Sequence, residues 1–464
     1  SFDTFDYSVP TAGTHNVWPF FDSRLHRNVP IGDKVVLENG SIRVEIWKNF
    51  GGAVAHVSFP GGQNIVNQND WGRGVGMTIY RGGRTRQIES QNKEIQSQWA
   101  TAEGAGVGNN PIQIGDTFDN PAVVVDMWYT STTCYTKSVM MNWAVRNDPT
   151  DVVLEQWVSI SGAVCDVHVK MTHNRVNDQT KYEAKSNEYP NTIVNAPYKY
   201  NAHVDGNGNI TYLTNWNQTP VSMGQNWYAM VPDASPASSG LGVWRAGCFQ
   251  TSQNRYAPDD TASDEFANPA NYGVANQSMI WDWNGTYYDN YKLMVGQVQQ
   301  IKAWANSLPD PRNTFKWKFN SRNGRGYYTY GNGIDTGYPT PDDGIELQVK
   351  NPSTNFVDFH FPHVGLVASS VSNVYVRYKA TSDWPSSLLV SGGRTGQTDI
   401  QIAGQNITVN LTCDNAWHTL TIPVSTISGW SGTIYDLHTT SFNVPSSARL
   451  KIGWVNTANT DPEP

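Results

Sequence analysis

The segment 172–190, THNRVNDQTKYEAKSNEYP, gathers His173, Arg175, Asp178, Lys181, Glu183, Lys185 and Glu188 in a chain of which only 16% is charged. Carboxylates crowded into one loop are what cleavage of a glycosidic bond requires. One protonates the leaving oxygen, and a second attacks or activates water. Glu188 stands between Asn187 and Tyr189-Pro190, and proline holds the residue before it extended. Glu188 and Tyr189 are therefore expected to be fixed rather than waving in solvent. Glu188 is the expected acid, with Asp178 or Asp70 as its partner; Asp116 and Glu183 are further carboxylates of the same kind. Elimination at a uronic acid is the other chemistry within reach. It needs a cation against the sugar carboxylate and a base for the C5 proton, groups that His173, Tyr189, Lys170 and Arg175 supply. Arg73 and Arg175 suit a carboxylate or sulfate on a polymer. The plainer reading of the loop pairs Asp178 with Lys181 and Glu183 with Lys185 on the surface, where such pairs contribute little.

Aromatic residues offer a second chemistry. The chain has 18 Trp and 22 Tyr, and a flat ring with a polar edge suits the face of a sugar as well as a protein core. Trp143 and Trp227 sit in apolar runs and read as core. WDWNGTYYDNY (281–291) carries Trp281, Trp283, Tyr287, Tyr288 and Tyr291, more rings than one turn can bury, so part of it is expected to line a groove. In NDWGRG (69–74), Asp70, Trp71 and Arg73 are site candidates. The same stretch also makes sense as a tight turn at Gly72 and Gly74, with Asp70 as cap and Trp71 in the core.

Other chemistries are missing their residues. VDGNGNITYLTNW (204–216) begins like a calcium loop but has Ile210 where glycine is needed and Trp216 where glutamate is needed; a hairpin turn explains it better. No metal ligand set is expected, a structural calcium stays unassigned, and no cofactor is implied. A G-x-S-x-G elbow, a phosphate-binding P-loop and HExxH are absent from the sequence. Cys134, Cys165, Cys248 and Cys413 form no C-x-x-C pair, which leaves room for one disulfide of unspecified pairing. A net charge of −8 without a basic run excludes a nucleic-acid partner, and no stretch of apolar residues is long enough for a membrane span. Residue 1 is Ser, as in a processed chain, and seven N-x-S/T sequons occur. Both fit a secreted, extracellular protein, although a chain this rich in Asn, Ser and Thr produces such sequons by chance.

Strand patterns dominate the elements that must position these residues. VVLENGSIRVEIW (35–47) reads as strand, turn, strand, with Asn39-Gly40 tolerating positive φ. VLEQWVSISGAVCDVHVKMTHN (153–174) alternates across a Ser-Gly turn. Its second strand sets Val167, Val169 and Met171 on one face and His168, Lys170, Thr172 and Asn174 on the other, a polar face that is either solvated or sugar-binding. One helix is expected over 292–305, with Met294, Val298, Ile301 and Ala305 on one side. The prolines of NSLPDPRNTFK (306–316) follow it and read as a linker. Two all-β domains result, 1–310 and 311–464, in keeping with a length of 464 residues.

The stretch LENGSIRVEIWKNFGGAVAHVSFPGGQNIVNQNDWGRGVGM (37–77), followed by PIQIGDTF (111–118) and 172–190, resembles galactose-mutarotase-like domains. That resemblance implies an N-terminal β-supersandwich, expected to be the catalytic domain, that binds saccharides on a concave sheet. The chain lacks the Asn-His-Thr-Tyr-Phe-Asn stretch of sugar epimerases, its nearest counterpart being THNRVN, so free-sugar epimerisation is not expected. FKWKFNSRNGRGYY (315–328), VSNVYVRYKATSD (371–383), DNAWHTLTIPVSTISGWSG (414–432) and LKIGWVN (450–456) resemble jelly-roll carbohydrate-binding modules. The expectation is a polysaccharide-cleaving enzyme, glycoside hydrolase before polysaccharide lyase, with a glycan as partner; the non-enzymatic alternative is a glycan-binding surface protein.

Overall fold

The computed structural model describes residues 5–9, 14–17, 34–69, 73–79, 111–174, 185–213, 221–246, 248, 250–256, 270–279, 285–308, 315–319, 328–330, 333–335, 344–349, 356–361, 365–394 and 406–462. The chain is all-β. Between Thr14 and Gln297 the strands form one antiparallel network with two broad parts. In the first, Val123–Tyr129, Thr133–Asn142, Pro149–Ser161, Val164–His173, Gly285–Gln297, Ser239–Trp244, Trp227–Val231 and Tyr200–Val204 pair in that order. In the second, Lys34–Glu38, Arg43–Trp47, Ala53–Ser58, Val75–Thr78, Lys185–Asn195, Ala270–Met279 and Gln250–Tyr256 do the same.

Period-two alternation decides what each strand buries. Val167, Val169, Met171, Tyr287, Tyr291 and Leu293 from the first part join Leu37, Val44, Val75, Met77, Tyr189 and Val194 from the second in one apolar cluster. The Tyr228 hydroxyl reaches Thr192 Oγ1 at 3.0 Å within it. Gly162 takes a φ of 55° at the turn between Pro149–Ser161 and Val164–His173, as the Ser-Gly pair requires. Asn39-Gly40 turns differently from expectation. Neither residue has a positive φ, because Asn39 Oδ1 accepts from the amides of Ser41 and Ile42 at 2.8 and 3.0 Å and closes the turn itself.

The helix begins later than its pattern indicates. Strand Gly285–Gln297 runs through Met294, and the helix spans Val298–Ser307. The strand holds on because it is paired on both edges, Leu293 facing Cys165 on one side and Val243 on the other. Val298, Ile301 and Ala305 are buried, and the helix opens on a reciprocal cap between Gln297 and Gln300. All four cysteines are free, so the disulfide that the sequence left open is not formed.

From Lys316 onward two six-stranded sheets follow. One contains Ile345–Val349, Val374–Ala380, Trp417–Ile422 and Leu450–Asn456. The other contains Phe356–His360, Ser387–Arg394, Asn406–Asn410 and Thr433–Phe442. Val357, Phe359, Val390 and Leu437 are buried in the core. Asp358, His360, Thr440 and His438 alternate with them and take the opposite face. No helix among the described residues is long and apolar enough to cross a membrane.

Candidate active face

Glu188 lies on strand Lys185–Asn195, opposite Thr78 on one side and Asn276 on the other. A bulge between Glu188 and Asn191 shifts the register by one residue, which puts Glu188 and Ile193 on the same face. Tyr272, opposite Ile193, shares that face and donates its hydroxyl to Glu188 Oε2. The carboxylate is half-buried and the tyrosine nearly buried. A hydrogen bond accepted from a phenol favours the ionised carboxylate. In a glycosidase that is the condition of the nucleophile or the base, not of the proton donor. That contact suits Glu188 to the part of nucleophile or base.

Tyr189 points the other way. It is 1% exposed, the Arg245 guanidinium lies 4.4 Å from its ring, and Tyr291 meets it edge-on at 5.9 Å. Burial, with Asp289 nearby, pushes its phenol well above the ordinary range. Arg245, itself buried, donates to the Tyr189 carbonyl at 3.0 Å and pairs with Asp289 at 2.5 Å. His173 is also inside, its ring 4.9 Å from that of Tyr287. Both side chains are buried, whereas Glu188 is only half-buried.

Arg73 is buried and donates to Asn67 Oδ1 at 3.1 Å. Asn67 bonds Asn195, at the far end of the Glu188 strand, at 3.2 Å. Lys170 is on the outer face of the first sheet part, ion-paired to Glu155 at 2.9 Å. Among the described groups proposed for elimination, His173 and Tyr189 are thus in the core and Lys170 is on the outer face. Asp116 is a loop clamp, accepting from the amides of Phe118, Asn120 and Asn147. Asp70, Trp71, Asp178, Arg175, Glu183, Trp281 and Trp283 lie outside the described residues.

The polar face of strand Val164–His173 is neither bare nor a hollow. Phe5 stacks on His168 at 3.8 Å and 7°. Tyr7 packs against Trp157 at 5.3 Å and Tyr288 at 4.6 Å, and Trp157 Nε1 donates to the Ser8 carbonyl at 3.2 Å. The chain's own N-terminal residues cover this face, and Tyr288 stays 42% exposed beside them. Sequence reasoning left these contacts unseen, because they join residues about 150 positions apart.

The sheets that follow Lys316 carry another candidate surface. A groove of about 450 Å³ is lined by Asp383, Ser387, Leu389, Thr408, Thr440 and Phe442. Phe442 is 54% exposed, and Phe356 lies 6.4 Å from it. The Thr440 hydroxyl donates to Asp358 at 3.2 Å. Asp358 meets His360 Nε2 at 3.2 Å, and Asp436 sits between His360 Nδ1 at 2.9 Å and His438 Nδ1 at 2.8 Å. Burial opposes charge on His360, but Asp436 and Asp358 outweigh it and raise the imidazole to about 10.

No protein-family model matches the sequence, and no curated protein is significantly similar to it. Solved structures are similar in fold. A galactose mutarotase related enzyme from Lactobacillus acidophilus is 10% identical, over 57% of this chain and 98% of its own, with a TM-score of 0.34. A putative aldose 1-epimerase from Escherichia coli K12 is 8% identical over 57% of this chain and 99% of its own, with a TM-score of 0.29. A family 29 carbohydrate binding module is 9% identical over 32% of this chain and 92% of its own, with a TM-score of 0.22. At such scores the chemistry of this chain rests on its own residues.

Proposed function

We propose that the protein is a secreted polysaccharide-cleaving enzyme in which Glu188 serves as nucleophile or base, Tyr272 holds its carboxylate, and the groove beside Phe442 binds the polymer. The observation that carries this reading is the Glu188–Tyr272 contact: a half-buried carboxylate on a sheet face, its oxygen fixed by a phenol. With Glu188 in that role, its partner, Asp70 or Asp178, becomes the proposed proton donor. Hydrolysis is favoured over elimination because His173 and Tyr189, two of the groups that elimination would use, are buried in the core. Incubation with a panel of neutral and uronic-acid polysaccharides tests it. New reducing ends without near-ultraviolet absorbance support hydrolysis; an absorbing double bond in the products assigns elimination instead. The exposed Phe442 supports a second reading, in which the chain binds glycan without cleaving it. Retention on a glycan array with no product from any polymer would select that reading.

A further inference from the structure

His360, Asp436 and His438 are all buried, and their ligand atoms lie within 4.8 Å of one another. They come from neighbouring strands at a fixed register, His360 opposite His438, with the two rings stacked at 4.5 Å and 25°. A purely structural hydrogen-bond network would satisfy every buried nitrogen. This one does not: His438 Nε2 is buried and hydrogen-bonds nothing, although the side chain is only 1% exposed. The surroundings are those of a metal ligand set. His360 turns Nδ1 toward Asp436 while its other nitrogen meets the Asp358 carboxylate, the carboxylate–histidine arrangement that orients imidazoles on metals. Asp358 is in turn held by Thr440.

We infer that His360, Asp436 and His438 form a binding site for a divalent transition metal, of which zinc is the best match, with Asp358 orienting His360. Two imidazoles and one carboxylate suit zinc and its neighbours in the first row. Calcium and magnesium, which take oxygen ligands, are excluded by the same donor set. The site ties Phe356–His360 to Thr433–Phe442, the strands that bear Phe356, Thr440 and Phe442, so it stiffens the floor of the groove.

The full chain, freed of metal with a chelator and dialysed, is titrated with zinc and separately with calcium. Zinc is expected to bind stoichiometrically and raise the melting temperature, whereas calcium does neither. Cobalt is expected to give the visible absorption of a nitrogen–oxygen site. His438→Gln is expected to abolish uptake, and Asp358→Asn to weaken it by ~10–100-fold, with circular dichroism confirming that each variant is folded. A folded His438→Gln protein that binds zinc as tightly as the parent overturns the assignment. Wild-type protein that takes up no zinc overturns it whatever the variants do, so the result does not hinge on their folding.

Discussion

Glu188 accepts from the phenol of Tyr272 on the neighbouring strand, much as Glu155 accepts from Tyr135. Asp116 takes up loop amides, and Asp289 is paired to Arg245. Tyr272→Phe is expected to slow polysaccharide cleavage by roughly 10-fold, the worth of one hydrogen bond to a charged group, while leaving the fold intact by circular dichroism. Arg245 acts through the core. Arg245→Ala leaves Asp289 without its cation and is expected to cost about 3–5 kcal/mol in urea unfolding. The flanking Tyr-Pro made Glu188 legible as a fixed residue. Tyr272 was not legible, because it is 84 positions away and only the bulge after Glu188 brings the two to one face. The burial of Tyr189 and His173 was not legible for a related reason. The bulge and the strand ends decide which way they point, and neither is written in the local pattern.

Strand alternation read from sequence placed Val167, Val169 and Met171 correctly in the core. It left open what covers His168, because the cover is the remote segment holding Phe5 and Tyr7. The helix boundary shifted because pairing on two edges extends the strand to Gln297, an effect that helical periodicity cannot register. Turn geometry makes its own prediction. Gly51 has a φ of 60°, and a Cβ there would come within 1.8 Å of the Gln113 carbonyl oxygen. Gly51→Ala is expected to destabilise the protein by more than about 1 kcal/mol, measured by thermal or urea unfolding, whereas Gly40→Ala, with open space around it, should change stability much less.

Acid should weaken the molecule from two directions at one place. Burial opposes charge on Glu45, but Lys34, Arg43 and Trp47 hydrogen-bond it and bring it down to about 2. Its contribution is complete above the ordinary carboxylate value and is lost as pH falls toward 2. Burial lowers His56 to about 4 despite the neighbouring Glu45. Below about 6.5 the unfolded chain takes up a proton that the folded chain refuses until near 4, so stability falls over that window too. Urea midpoints should therefore decline steadily from pH 7 to pH 3, and Glu45→Gln should flatten the lower part of the curve. The all-β layout was legible at this scale because strand patterns depend on local chemistry. The pairing of distant strands was not.

The measurement closest to the central claim is reducing-end release from a broad polysaccharide panel by wild-type and Glu188→Gln protein side by side. The account predicts that at least one polymer is cleaved by the wild type and that the variant, equally folded, is slower by about 100-fold or more. Equal rates in the two proteins would contradict it.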